Sequence, residues 1–179
     1  TRESVPDHLY RMLKPQGGVL VLAKSEGGVT AHVRGALPGS GNWTHQYADA
    51  ANTTCGDDTR VKAPFSILWF GNPGPKDMPN RHQRAAAPLS LDGRLFIEGE
   101  NTLMAYDAYN GVKLWQREIP GAIRLGVFYE SGNMAIDPSG FYVGVQDHCL
   151  RLDPATGETM ETYFLPAKEE SDESLGGKD

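Results

Sequence analysis

The fold is decided by the stretch Ala105-Tyr106-Asp107-Ala108-Tyr109-Asn110-Gly111-Val112-Lys113-Leu114-Trp115. Its centre is typical of a tight turn, because an aspartate accepts hydrogen bonds from backbone N–H groups two residues on and Asn-Gly tolerates positive φ. Apolar residues resume after the turn and predict a second strand from Leu114. The stretch therefore predicts a corner between two antiparallel strands.

The same corner recurs downstream with the same spacing. Asp107 corresponds to Asp153 and Gly111 to Gly157, and both pairs are 46 residues apart (153 − 107 = 157 − 111 = 46). The second copy adds Pro154, whose fixed φ suits an early turn position. A repeat period in the forties with several short strands per period is typical of the four-stranded blades of a β-propeller.

Short apolar runs separated by Gly, Asn and Asp predict a meander of antiparallel strands in each copy. The strands predicted for the first copy are 87–91, 94–98, 102–106 and 114–119, and those for the second are 134–137, 140–144, 148–152 and 159–165. Two blades are thus nearly complete in the sequence.

A partial third copy precedes these two blades. The segment 65–74 is similar to 112–121, and Trp69 lies 46 residues before Trp115 (115 − 69). We therefore predict that 65–74 is the outer strand of an earlier blade. The predicted fold class is mainly β: a partial β-propeller of four-stranded antiparallel blades, about two and a half of them, with a small N-terminal α/β remnant.

The spacing A-x-D-x-x-N-G-x-x-x-W of Ala105 to Trp115 resembles the A-x-D-x-x-T-G-x-x-x-W repeat of the pyrroloquinoline quinone (PQQ) repeat proteins, the bacterial quinoprotein-type β-propellers. Only Asn110 departs from that pattern. The segment 41–53 also resembles the W-x-x-x-Y-x-x-D-x-x-N-T sequence with which those propellers begin. The resemblance extends over roughly 42–167, and it implies a propeller built from PQQ-like repeats.

The resemblance implies mainly structural roles for the repeated residues. The tryptophan of each repeat, Trp69 or Trp115, is expected to pack against the neighbouring blade, as a large apolar side chain with one N–H donor suits a blade interface. The structural turn residues are Asp107, Gly111, Asp153 and Gly157. The two aspartates would alternatively serve a calcium site or act as general bases. In the last copy Glu161 replaces the tryptophan and Arg151 replaces the alanine, which predicts a degenerate blade or one with a different neighbour.

The N-terminal stretch 7–22 resembles the L-x-R-x-L-K-P-G-G passage of class I S-adenosylmethionine (SAM)-dependent methyltransferases. Its leucine and methionine spacing predicts a helix, 19–22 predicts a buried parallel strand, and 27–34 predicts a returning strand. The glycine-rich turn and the acidic residue that hold SAM in that family are missing from the sequence, so SAM binding is not implied. The predicted domains are this remnant (1–34), a linker (35–42), the propeller segment (43–167) and an acidic flexible tail (168–179).

One polar cluster is a candidate ligand site. Arg81, His82 and Arg84 come just before the predicted inner strand of the first blade, where a propeller approaches its central channel. Cationic side chains there would hold an anionic cofactor or substrate through charge-assisted hydrogen bonds. The alternative is an exposed loop whose charges are solvated. PQQ with calcium is the cofactor that the resemblance implies for a full-length parent protein.

The amino-acid composition limits the kinds of partner and the location that the sequence predicts. The formal net charge of −6 leaves no basic patch for nucleic acid, and no apolar run approaches the length of a membrane span. Cys55 and Cys149 fit either one disulfide of an exported protein or two unrelated thiols. The family resemblance implies a periplasmic or exported location.

The leading hypothesis is a non-catalytic PQQ-like repeat segment that acts as a scaffold or binding module. Its expected partners are the remaining blades of a longer chain, a second copy of itself, or another protein. The alternative is that the chain is part of a larger enzyme, either a PQQ-dependent dehydrogenase or a methyltransferase fused to a propeller, whose catalytic parts lie outside these residues. Neither adjacent cysteines nor a ligand set for PQQ and calcium is identifiable in the sequence, so we do not expect this chain by itself to be a quinoprotein enzyme.

Overall fold

Two four-stranded antiparallel sheets dominate the computed structural model, which describes residues 5–72, 74, 76–78, 86–122 and 132–166. The first sheet has the order β3 (Leu89–Leu91), β4 (Arg94–Glu98), β5 (Thr102–Asp107) and β6 (Lys113–Glu118). The second has the order β7 (Met134–Asp137), β8 (Gly140–Val145), β9 (His148–Leu152) and β10 (Thr159–Phe164). Each sheet is a simple meander, so the predicted mainly β fold with four-stranded blades is confirmed.

The repeated turns have the same hydrogen bonds in both sheets. The N–H of Gly111 donates to Asp107 O over 2.8 Å, and the N–H of Gly157 donates to Asp153 O over 2.8 Å. The Oδ1 atom of each aspartate accepts from the N–H two residues on, at 3.0 Å in the first turn and 2.6 Å in the second. Both glycines have positive φ, 72° and 76°, which an L side chain rarely adopts.

An irregularity of register also repeats. Between β5 and β6, Ala105 pairs with Trp115 and Tyr106 pairs with Lys113, so Leu114 is a bulge residue. Between β9 and β10, Arg151 pairs with Glu161 while the neighbouring pair is Leu152 with Thr159. A β-bulge bends its strand and increases the local twist. The two sheets therefore share an equivalent bulge as well as the same strand order.

The core lies between the two sheets. Their backbones come closest at β3 and β7, the first strand of each sheet. The rings of Phe96 and Phe141 pack with their centroids 4.9 Å apart, and Trp115 lies 6.1 Å from Phe96 and 6.5 Å from Phe141. The sheets thus converge at their first strands, and a large aromatic side chain fills the space towards their last strands, as in neighbouring blades of a propeller.

A segment before the sheets joins their innermost edges. Trp43 exchanges two backbone hydrogen bonds with Ser90 in β3, over 2.9 and 2.7 Å, and Thr44 O accepts from the N–H of Ile136 in β7 over 3.0 Å. The Oε1 atom of Gln46 accepts from the N–H of Ala87 over 2.9 Å. This segment therefore holds the two sheets together on the side where a propeller has its central channel.

The N-terminal unit differs from its prediction in one strand. It consists of α1 (Asp7–Met12) and an antiparallel hairpin of β1 (Val19–Ala23) and β2 (Val29–Val33). The predicted helix and returning strand are present. The predicted buried parallel strand is wrong, because β1 pairs antiparallel with β2 and its Val19 and Val21 are more than half exposed. A short apolar run looks the same in sequence whether or not another layer covers it.

The predicted outer strand of an earlier blade is also absent as a strand. Residues 65–70 belong to no sheet, and apart from Trp69 their large apolar side chains are exposed, from 71% at Leu68 to 97% at Phe70. The physical reason is the missing neighbour: the positions 46 residues before β5 are 56–61, with the sequence Gly-Asp-Asp-Thr-Arg-Val, which lacks the apolar alternation of a blade strand. Within the described part of the chain, no helix has the length and apolarity needed to span a bilayer.

Candidate functional site

The contacts between successive repeats follow one geometric rule. The indole N–H of Trp69 donates to Ala108 O over 2.8 Å, and that of Trp115 donates to Pro154 O over 3.1 Å. Donor and acceptor are 39 residues apart in both cases. Each tryptophan thus lies on the aspartate–glycine turn of the following sheet, and we call this contact the tryptophan–turn contact.

The glycine of each turn makes room for the indole ring. A Cβ atom added to Gly157 would lie 2.8 Å from Cε3 of Trp115, and one added to Gly111 would overlap the ring of Trp69. Arg117 extends the second contact, since its Nη1 atom donates to Gly157 O and to Thr159 Oγ1, each over 2.8 Å. Glycine is therefore required at these turns by the neighbouring ring as well as by the backbone angle.

The face of the first sheet that contacts the second is apolar across all four strands. Its central row, in register from β3 to β6, consists of Leu89, Phe96, Ala105 and Trp115. The equivalent row of the second sheet, 46 residues later, lies on the side away from the first sheet and consists of Ala135, Tyr142, Arg151 and Glu161. We call this second row the far face. Every position of the row has become smaller, more polar or charged.

The charged residues of the far face contact each other. Arg151 Nη1 and Glu161 Oε2 are 3.4 Å apart, and the hydroxyl of Tyr163 donates to the same Oε2 atom over 2.5 Å. The hydrogen bond to Glu161 raises the pKa of Tyr163. Arg151 also donates to Ser139 O through Nε and Nη2, over 3.1 and 2.7 Å. The second sheet keeps all four strands, so the departures from the repeat at Arg151 and Glu161 change the side chains of the far face and not the number of strands.

We predict that the double variant Arg151→Ala with Glu161→Trp associates with itself through the far face. It restores the alanine–tryptophan pair, and an exposed tryptophan removes about 150–250 Å² from water when covered, worth roughly 4–6 kcal/mol before the cost of association. Sedimentation velocity should show a mass that rises with concentration beyond that of the native chain. Glu161→Gln is the matched control and should behave as the native chain; equal behaviour of the double variant would contradict the prediction.

The opposite end of the pair of sheets is apolar. Residues 65–70, which we call the near segment, contact the first sheet through Trp69, while Phe65 is 76% and Ile67 84% exposed. None of the backbone groups of 65–70 makes a main-chain hydrogen bond to a described residue. The two ends therefore differ in chemistry. The far face is charged and its side chains pair with each other, whereas the near segment is apolar and its backbone has no main-chain partner among the described residues.

The N-terminal unit contacts the first turn. The Nζ atom of Lys14 donates to Oδ2 of Asp107, whose side chain is 8% exposed, while Oδ1 of Asp107 serves the turn. A cleft of about 620 Å³ lies between this unit and the first sheet, with Gln16, Asp92 and Arg94 among its lining residues. The aspartate of the first turn thus has a second partner that the aspartate of the second turn, Asp153, lacks among the described side chains.

Two acidic residues of the loops, Asp49 and Asp58, accept hydrogen bonds from nearby backbone groups. Asp58 accepts from the N–H groups of Gly41, Val61 and Arg60, and these hydrogen bonds lower its pKa. The hydroxyl and N–H of Thr53 bond Asp49 and lower the pKa of that carboxyl. No group of three or more His, Cys, Asp or Glu side chains in the described residues is placed to hold a metal ion.

The cysteines are free thiols. Cys55 is exposed, and Cys149 is half-buried in β9, where burial raises the pKa of its thiol. Of the two alternatives left by the sequence, the structure therefore has two separate thiols rather than one disulfide.

The predicted site residues divide into two groups. The tryptophans and the turn residues come together in pairs, Trp69 with Gly111 and Trp115 with Gly157. Arg81, His82 and Arg84 lie outside the described residues. Sequence reasoning missed the far face as a unit and the contact of Lys14 with Asp107. A signal for the far face existed: comparing residues 46 apart, strand by strand, shows the whole apolar row replaced.

No protein-family model and no curated protein matches the sequence. Among solved structures, the chain is similar to BamB from Moraxella catarrhalis, with 21% sequence identity and a TM-score of 0.34. The match covers 41% of this chain and spans 21% of the BamB chain. The fold assignment itself rests on the two sheets and on their repeated contacts.

Proposed function

We propose that this chain supplies blades of a PQQ-like repeat β-propeller that serves as a non-catalytic scaffold for binding protein. The observation that carries the proposal is the tryptophan–turn contact, which joins two complete sheets into one unit while the apolar near segment at its end has no cover among the described residues. A unit of this kind offers a rigid platform with an open end.

The chemistry of the near segment supports a macromolecular partner. Exposed apolar side chains in a contiguous run are typical of protein contact surfaces, because a small polar ligand gains little from them. The other blades of a longer chain, a second copy, or a different protein would each cover this end. The propeller segment would then act as the connecting element between its partners.

Two measurements test the proposal together. In sedimentation velocity, the native chain is expected to associate as its concentration rises, because the near segment is open. The variant Phe65→Ser with Phe70→Ser should reduce that association. The matched control replaces two exposed valines of the hairpin, Val29→Ser with Val33→Ser, and should leave it unchanged. A chain that stays monomeric, with a melting temperature independent of concentration, contradicts the proposal.

The second measurement addresses the enzyme alternative. Titration with PQQ and calcium, followed by the absorbance of the quinone, is expected to show no saturable binding. Saturable binding that is lost in Arg81→Ala and Arg84→Ala would overturn the non-catalytic assignment and place a quinone site at the predicted channel cluster.

A further inference from the structure

A second, smaller cleft lies between the N-terminal unit and the loops that follow it. Its volume is about 350 Å³, and three arginines line it: Arg11 in α1, Arg34 directly after β2, and Arg60. Asp7 also lines the cleft, so one carboxylate stands against three guanidinium groups. We call this site the arginine cleft. It carries a local excess of positive charge, although the formal net charge of the whole chain is −6.

Arg34 is held in place by groups that do not neutralise its charge. Its Nη1 atom donates to Arg11 O over 3.2 Å and to Leu13 O, and both acceptors are backbone carbonyls at the end of α1. Its guanidinium carbon lies 5.4 Å from the centre of the Tyr10 ring. A guanidinium group has five N–H donors, and those of Nε and Nη2 are not used by either carbonyl. Arg34 is thus a positioned cation that keeps donors for a further partner.

Arg60 is positioned by the loop to which it belongs. Its Nη1 atom donates to Pro38 O over 3.2 Å. Asp58, two residues earlier, accepts from the N–H groups of Gly41, Val61 and Arg60, and it does not line the arginine cleft. The loop therefore fixes Arg60 beside the cleft and keeps the nearby carboxylate occupied with backbone outside it.

The chemistry of the arginine cleft matches a phosphate group. Guanidinium groups bind phosphate oxygens through paired, charge-assisted hydrogen bonds, and one phosphate dianion has enough acceptor oxygens for several arginines. The volume lies within the range of small-molecule sites, and Ala36, Leu37 and Pro38 line the cleft beside the arginines. The site therefore combines donors for an anion with apolar surface for a small organic group.

Independently of the proposed scaffold function, we propose that the arginine cleft binds a phosphate dianion, either free phosphate or the phosphate group of a small monoester. Arg34 is the central ligand, because its guanidinium group is already oriented and retains donors. Arg11 and Arg60, on two other segments of the chain, supply the remaining positive charge. A phosphate held by all three would also tie the N-terminal unit to the loop of Arg60.

The test is a titration of the full ¹⁵N-labelled chain with phenyl phosphate, followed by nuclear magnetic resonance. The Nε–H signal of Arg34 is expected to shift and to saturate. Sodium acetate at equal ionic strength, which carries one charge per anion, should shift the signal far less. Equal responses to the two anions would show general charge attraction and would overturn the proposal.

Inorganic phosphate is the second arm of the titration. Weaker binding of inorganic phosphate than of phenyl phosphate would support the proposal and identify a monoester as the ligand. Equal binding would also support it and identify the free ion. The absence of a saturable shift with both compounds would overturn the proposal, and it would leave the association measured for the scaffold function unaffected.

Two double variants locate the binding. Arg11→Gln with Arg60→Gln removes two exposed cations of the arginine cleft and should weaken binding roughly tenfold, because charge-assisted hydrogen bonds are the strong ones. The matched control, Lys24→Gln with Lys62→Gln, removes two exposed cations that do not line the cleft and should keep the affinity of the native chain. Unchanged binding in the arginine variant, or equal loss in both variants, would overturn the proposal.

Discussion

Replacing Trp115 by alanine is expected to lower the free energy of unfolding by about 3–5 kcal/mol, the range for large aromatic side chains removed from a core. The indole contacts the rings of Phe96 and Phe141 and donates to Pro154 O, so its loss opens the space between the two sheets. Because small domains have only about 5–15 kcal/mol of stability, the variant should be close to unfolding. Urea denaturation followed by circular dichroism measures the change.

Trp69→Ala is the matched control for this experiment. Trp69 makes the same hydrogen bond to the following turn, but the residues around it in the near segment are exposed. Its loss should therefore cost clearly less than the loss of Trp115. A cost for Trp115→Ala equal to or below that for Trp69→Ala would show that the sheets are not joined through the tryptophan between them.

Gly111→Ala is expected to destabilise the protein by about 2–5 kcal/mol, the second largest effect. The φ of +72° contributes roughly 1–2 kcal/mol for an L residue, and overlap of the new methyl group with the ring of Trp69 adds roughly 1–3 kcal/mol. In the background of Trp69→Ala the overlap disappears while the backbone strain remains. The loss caused by Gly111→Ala should therefore be smaller in that background.

A double-mutant cycle measures this difference. Urea denaturation of the two single variants and of the double variant gives the coupling energy between Gly111 and Trp69. Gly71→Ala is the control, because Gly71 has no positive φ and open space around its Cβ position, and it should leave stability unchanged. Equal losses from Gly111→Ala in both backgrounds would contradict the tryptophan–turn contact in the first repeat.

Much of the fold could be predicted because its signals are local. The turn aspartate and glycine set the backbone of each corner within five residues, and alternating apolar residues set the strands on either side. The observed strands begin and end within two residues of the predicted ones. Because the same turns and strands recur 46 residues later, the pattern of the first sheet also predicts the four-stranded meander of the second.

The burial and pairing of two apolar runs could not be predicted from the sequence, because they depend on which other elements pack against a strand. The apolar runs at 19–22 and 65–70 look alike in sequence and resemble the core strands, yet neither is buried. The first run pairs within a two-stranded hairpin, and the second has no strand beside it among the described residues. Hydrophobic pattern predicts that a segment favours a sheet, but a neighbouring strand has to be present for the sheet to form.

By itself, then, the sequence determined the corner at Asp107 to Gly111, its copy at Asp153 to Gly157, and the four strands around each. Only the tertiary structure decided that each tryptophan rests on the turn of the next repeat, that the far face is charged, and that the near segment is open. The physical reason is distance along the chain. Turns and strands depend on neighbours a few residues away, whereas these contacts join residues about 40 positions apart or across several strands, where register and packing decide which side chains meet.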